Sequence, residues 1–140
     1  MIPFRDLLFI LIAITEIGID FSHPHTMSCI KHKGLHVVLV LLFHHVLSSF
    51  MMWGWMLPNK GLLFLFIIAN ALMLLEWAVH RRCRLTLHIN NVCGYQSDTP
   101  FRDILWWLGA KDIRIGGFTL HVILAVLFLL IGMYLYQKAN

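Results

Sequence analysis

Four side chains that could bind a metal ion lie near one end of the apolar segments of this 140-residue sequence: His36, Glu76, His80 and His121. Glu76 and His80 are four residues apart, so both lie on one face of a helix and can reach the same ion. Imidazole and carboxylate ligands suit zinc, iron or copper, and two of the histidines could instead hold a haem. The pattern predicts a transition-metal (Fe, Zn or Cu) or haem site in a helical bundle.

The same residues have a simpler interpretation. A histidine at the end of a spanning helix can lie among lipid headgroups, and a glutamate within a span can pair with a basic group of a neighbouring helix. Glu16 is expected to pair in this way, with Arg81 or His36. An unpaired charge within a span costs about 2.5–3.5 kcal/mol on insertion scales, so pairing, protonation or metal binding is required under either interpretation.

The segments that carry these residues are apolar enough to cross a membrane. Hydrophobic residues make up 59% of the chain and charged residues 13%, and the mean hydropathy is +0.77. Soluble domains contain about a quarter charged residues, so lipid is the expected solvent of this fold. The clearest segment, 61–79, has only Asn70 and Glu76 as strongly polar residues and approaches the ~20 residues that a spanning helix needs.

We therefore predict an all-α integral membrane protein in which residues 1–140 form a single transmembrane helical domain. Four spanning helices are expected, at about residues 3–20, 35–57, 61–80 and 118–136, with a short interfacial helix near 100–109. The first segment is short enough for the apolar part of a signal peptide. Glu16 stands where the cleavage site would fall, however, so we favour a helix with Glu16 facing protein.

The connections between these helices are predicted to be polar loops, at 21–34 and 82–117. Pro24 is expected to break any helix in the first of them. Cys29, Cys83 and Cys93 are an odd number of cysteines without a CxxC motif, so no disulfide framework is predicted.

The distribution of basic residues predicts the orientation. Four spans place both connections on one side of the membrane and both termini on the other. The connection side carries eight of the eleven basic residues: Lys31, Lys33, Arg81, Arg82, Arg84, Arg102, Lys111 and Arg114. This bias predicts that the connections face the cytoplasm-like side, where cysteines are expected to be reduced. Because the charges flank apolar spans, we predict no nucleic-acid partner.

The connection after the third helix resembles a loop of small uncharacterised bacterial membrane proteins. The matching residues are Cys83-Arg84-Leu85-Thr86, then Asn90 and Gly94-Tyr95, followed by Phe101. Those proteins carry a Cys-Pro-Leu-Thr turn after an apolar helix, and here Arg84 replaces the proline. The match covers roughly 25 of the 140 residues. The resemblance implies a multi-helix membrane fold with the Cys83 loop at its surface. It implies nothing about activity.

Three functions are consistent with the sequence, and whether the protein is an enzyme stays open. The predicted one is a structural or accessory subunit of a larger membrane assembly, whose partners are the lipid bilayer and other proteins or copies of itself. Its small size, ten phenylalanines and five tryptophans favour this function. The second is a metal- or haem-binding membrane enzyme or electron carrier. The third is a small oligomeric channel or transporter in which Glu16, Asn70 and Glu76 line a polar path.

Overall fold

The computed structural model describes residues 3–96 and 117–139. Within these ranges the chain is helical and contains no strand, which confirms the all-α prediction for the described part. The α-helices, numbered in chain order, are α1 (Phe4–Phe21), α2 (Pro24–Lys33), α3 (Leu35–Trp53), α4 (Lys60–His80), α5 (Arg84–Cys93) and α6 (Gly117–Lys138). The short interfacial helix predicted near 100–109 lies outside the described residues.

Within residues 3–96 and 117–139, three helical stretches are long and apolar enough to cross a membrane. They are Leu35–Met56, Lys60–His80 and Thr119–Lys138, with 22, 21 and 20 residues. At 1.5 Å per residue, each reaches about 30 Å, the thickness of a bilayer's hydrocarbon core. The fourth predicted span, α1, is not among them: its 18 residues include four charged ones, Arg5, Asp6, Glu16 and Asp20.

Both predicted polar loops contain a helix. Pro24 begins α2, and the imidazole Nδ1 of His23 accepts a hydrogen bond from the His25 backbone N–H at 3.3 Å. Proline suits the first position of a helix, because the N–H that it lacks has no partner within the helix there. Pro24 thus stands at a boundary between two helices, as α1 ends at Phe21, and the expectation that residues 21–34 form a loop is wrong. The second connection contains α5, which ends at Gly94 with φ 71°, a left-handed conformation that favours glycine.

Four helices pack as two antiparallel pairs, which together we call the bundle. In the first pair, Glu16 and Asp20 of α1 contact Ser49 and His45 of α3. In the second pair, the Nζ of Lys60 at the start of α4 donates a hydrogen bond to a backbone carbonyl at the end of α6 at 2.8 Å. The bundle therefore comprises α1, α4, α6 and the later part of α3.

The two pairs meet at the side chain of Phe66, which is fully buried. Two glycines let the backbone approach its ring. A Cβ atom added at Gly132 of α6 would lie 2.6 Å from the ring, and one added at Gly54, in the 3-10 turn after α3, would lie 2.8 Å from it. Phe50 packs edge-on against the same ring, with centroids 6.1 Å apart. Phe66 is therefore the packing centre of the bundle.

A second layer extends beyond the bundle, and we call it the cap. It consists of α2, α5 and residues 35–43 of α3, around a small core made of Cys29, Val37, Leu41 and Ile89. The bundle helices end below it, because Asp20 near the end of α1 contacts His45, and Cys83, just after α4, contacts His44. The cap therefore includes nine residues of α3 beyond the ends of α1 and α4, about 13 Å of helix.

A disulfide between Cys29 of α2 and Cys93 of α5 closes the cap, with the two Cα atoms 5.3 Å apart. The prediction that the cysteines are reduced and form no disulfide is wrong for this pair. The sequence offered no signal for it, because 64 residues separate the two cysteines and only their common packing on α3 brings them together. Cross-links over long loops typically stabilise a fold by about 2–4 kcal/mol.

The packing of Phe66 leads to a stability prediction. Gly132→Ala is expected to lower the free energy of unfolding by about 1–3 kcal/mol, because the new methyl group overlaps the buried Phe66 ring. Gly18→Ala in α1 is the matched control. Its Cβ atom meets nothing within 4 Å, so the higher helix propensity of alanine should leave stability unchanged or raise it by up to about 1 kcal/mol. Thermal unfolding in detergent micelles tests both, and equal stabilities would contradict this packing.

Candidate functional site

Two carboxylates of α1 form the centre of the candidate site. Glu16 and Asp20 are 1% and 3% exposed, and their four-residue spacing places both on the face of α1 that packs on α3. The opposite face is apolar and exposed, with Leu7, Leu11 and Ile14 pointing outward. The helix thus turns its acids inward and its large apolar side chains outward, as predicted for Glu16 from the sequence.

Glu16 is held by two side chains of α3. Its Oε2 atom accepts a short hydrogen bond from the Ser49 hydroxyl, and its Oε1 atom accepts one from the Trp53 indole N–H at 3.3 Å. The predicted partners, His36 and Arg81, are wrong. The reason is that α3 begins beyond the end of α1, in the cap. Glu16 therefore lies beside the later part of α3 rather than beside its start.

Asp20 joins three helices. Its Oδ1 atom accepts a hydrogen bond from the Thr26 hydroxyl of α2 at 2.9 Å, and its Oδ2 atom lies 3.1 Å from Nε2 of His45 on α3. His45 is fully buried. The imidazole nitrogen and the carboxylate oxygen are within hydrogen-bond distance. Ionisable groups held inside a helical bundle in this way mark a candidate functional site.

The acids face a regular row of polar side chains on α3. His45, Ser49 and Trp53 recur at four-residue spacing, which matches the spacing of Glu16 and Asp20. Asp20 is a residue of this site that was not among the predicted site residues. The equal four-residue spacings on α1 and α3 were a signal for Asp20, because in an antiparallel pair they place Asp20 opposite His45 when Glu16 lies opposite Ser49.

The residues predicted to form a metal site lie in separate places. His36 is exposed on α3, where its ring lies edge-on to that of His88 of α5 at 6.1 Å. Glu76 accepts a hydrogen bond from the Arg84 backbone N–H at 3.3 Å, at the start of α5. His80 is exposed at the end of α4, and His121 is partly buried in α6.

No group of three or more metal-binding side chains is close enough to hold an ion in residues 3–96 and 117–139. The site formed by His36, Glu76, His80 and His121 stays a prediction, and so does the identity of its ion or haem. Of the residues proposed to line a channel, Asn70 donates a hydrogen bond to the Phe66 carbonyl of its own helix at 3.1 Å, and the channel stays a prediction.

No protein-family model, curated protein or solved structure matches this chain. The resemblance of the Cys83–Thr86 segment to a loop of small bacterial membrane proteins therefore stays a prediction. Most of that segment forms the first turn of α5. Function is accordingly inferred from the contacts and exposure of the side chains.

The contact between Asp20 and His45 leads to a second prediction. Asp20→Ala is expected to lower the free energy of unfolding by about 3–5 kcal/mol, because it leaves a buried imidazole without its carboxylate. Asp6→Ala, in the first turn of the same helix, is the control and should change stability by less than about 1 kcal/mol. Chemical unfolding in micelles measures both.

A double-mutant cycle of Asp20→Ala with His45→Ala isolates the pair. The two substitutions should be non-additive by about 0.5–3 kcal/mol, as expected for groups in direct contact. Strictly additive effects would contradict the interaction.

Proposed function

We propose that this chain is a small multi-pass membrane protein that serves as a structural or accessory subunit of a larger membrane assembly. The observation that carries the proposal is a row of exposed apolar side chains on the cap. Leu35, Leu39 and Phe43 are 71%, 57% and 61% exposed, and their four-residue spacing places them on one face of α3. We call this face the α3 stripe.

The dimensions of the bundle support its placement in the bilayer. The helix α4 has 21 residues, about 31 Å, which equals the thickness of the hydrocarbon core. The helix α1 is the fourth spanning helix in this proposal. Its 18 residues reach about 27 Å, and Ser49 and His45 satisfy the acids that would otherwise prevent insertion.

The cap then lies at the headgroups or beyond them. Its helices are too polar for hydrocarbon, since α2 ends in Lys31-His32-Lys33 and α5 begins with Arg84. In this proposal the hydrocarbon ends near His44, so that only the later part of Leu35–Met56 lies within it and the α3 stripe stands outside the lipid chains. Contiguous apolar surface outside lipid is typical of contact sites, and each such side chain gains about 1.5–3 kcal/mol when it is fully buried.

The charges around the α3 stripe indicate the chemistry of the partner. Lys31, Lys33 and Arg84 are exposed on the cap, and the whole chain carries a net charge of +4. A second copy would bring the same charges to the contact. A different membrane protein with an apolar surface and acidic residues at its border fits better, because complementary charges favour the encounter and like charges oppose it.

This function predicts a different result for two matched triple substitutions. Alanine at Leu35, Leu39 and Phe43 removes the α3 stripe. Alanine at Ile68, Leu72 and Leu75 removes comparably exposed side chains from the lipid-facing surface of α4. In a native gel after mild extraction from the native membrane, wild type and the α4 variant should migrate in an assembly larger than the 16.3 kDa chain. The α3 variant should be at least tenfold depleted from it, as expected when contact residues are lost.

Two outcomes would overturn the assembly role. One is migration of the wild-type protein as a single chain after extraction that preserves other membrane complexes. The other is equal retention of the α3 and α4 variants, which would show that the α3 stripe is not the contact surface.

For the orientation, we propose that the cap faces the cytoplasm-like side and both ends of the chain face the other side. The excess of lysine and arginine on the cap side supports this orientation. The Cys29–Cys93 disulfide opposes it, because such bonds are typical of oxidising compartments. In this proposal an oxidant must therefore form the disulfide on the cytoplasm-like side. In the reverse orientation the cap lies in the oxidising compartment, and no such oxidant is required.

Labelling with a membrane-impermeant maleimide separates the two orientations. In a Cys83→Ser background, Lys138→Cys should react in intact cells, whereas Lys31→Cys on the cap should react only after permeabilisation. Both positions are exposed, so they are matched in access to the reagent. The reverse pattern would overturn the charge-based orientation and place the cap in an oxidising compartment.

A further inference from the structure

A thiol and an imidazole meet where the cap joins the bundle. Sγ of Cys83 lies 3.7 Å from Nε2 of His44. His44 is 5% exposed and Cys83 is partly buried. Because Cys29 and Cys93 are joined in the disulfide, Cys83 carries the single free thiol of the three cysteines. The pair connects α3 to the segment between α4 and α5.

We propose that Cys83 and His44 bind a zinc-class metal ion at this junction, with the Glu76 carboxylate as the third protein ligand. The separation of the two atoms supports the site. Zinc lies about 2.3 Å from a thiolate sulfur and about 2.0–2.1 Å from an imidazole nitrogen, so tetrahedral binding places these atoms about 3.6 Å apart. The observed separation of 3.7 Å is close to this value.

Glu76 lies beside the segment that carries Cys83. Its carboxylate accepts a hydrogen bond from the backbone N–H of Arg84, the residue directly after Cys83. In this proposal, the carboxylate exchanges that hydrogen bond for a bond to the ion. The described residues hold no preformed group of three ligands, so Glu76 is recruited on binding, and a water molecule occupies the fourth position of the tetrahedron.

The ligand set indicates which ions bind. Thiolate and imidazole together favour zinc and copper(I) over magnesium or calcium, which prefer oxygen ligands. Binding releases the thiol proton, because the thiolate is the form that binds metal. The bound ion would tie α3 to the start of α5, at the level where α1 and α4 end.

Cobalt(II) is the probe that tests the site, because a thiolate bound to cobalt produces a charge-transfer absorption band. We expect the oxidised, full-length wild-type chain in detergent to bind about one cobalt ion with this band, and excess zinc to remove it. With the disulfide intact, the band can come only from Cys83. Cys83→Ser should abolish it, and His44→Gln should weaken binding at least tenfold. Glu76→Gln should weaken binding by less, since water replaces the lost oxygen ligand.

His88→Gln is the matched control, because His88 is an exposed histidine of α5 outside the proposed ligands, and it should bind cobalt like wild type. A thermal scan supplies a second measurement: zinc should raise the unfolding temperature of the wild type and leave that of Cys83→Ser unchanged. If His44→Gln does not fold, Cys83→Ser and His88→Gln carry the test. Absence of the band in wild type, or equal bands in wild type and His44→Gln, would overturn the proposal. The isolated chain suffices, so the result is independent of the proposed assembly role.

Discussion

The pairing of two buried carboxylates with one face of α3 is the constraint on which the rest of the structure depends. Glu16 and Asp20 are buried side chains of α1, and an uncompensated buried charge costs several kcal/mol. Ser49, Trp53 and His45 compensate them only if α1 runs antiparallel to α3 and ends level with His45. The polar contacts therefore determine the register of this helix pair, which apolar packing alone would specify less sharply.

That register determines where the cap begins. Because α1 ends at the level of His45 and α4 ends at the level of His44, the first nine residues of α3 extend beyond both. The polar helices α2 and α5 pack on this extension, and the disulfide between them limits their separation. Asp20 also reaches Thr26 of α2, so one carboxylate couples the bundle to the cap. The ends of α1 and α4 thus determine where the cap begins on α3.

Helix α3 is the element from which both functional proposals follow. Its later part satisfies the acids of α1, its early part supports the cap core, and its uncovered face carries Leu39 and Phe43. His44 lies where these regions meet, opposite Cys83. The proposed contact surface and the proposed metal-binding pair therefore lie on the same helix. Each arises because the first nine residues of α3 extend beyond the ends of α1 and α4.

Composition and hydropathy were sufficient to predict an all-helical chain with apolar helices near 35–57, 61–80 and 118–136, because these properties are local and additive along the sequence. The inward orientation of Glu16 followed from the cost of exposing a charge to lipid. The hydrogen-bond partners of Glu16 could not be predicted in this way, because they depend on how far α3 extends past α1. The Cys29–Cys93 bond likewise required two distant helices to pack on a third. Local chemistry specified the helices, and only tertiary packing decided which of their polar groups meet.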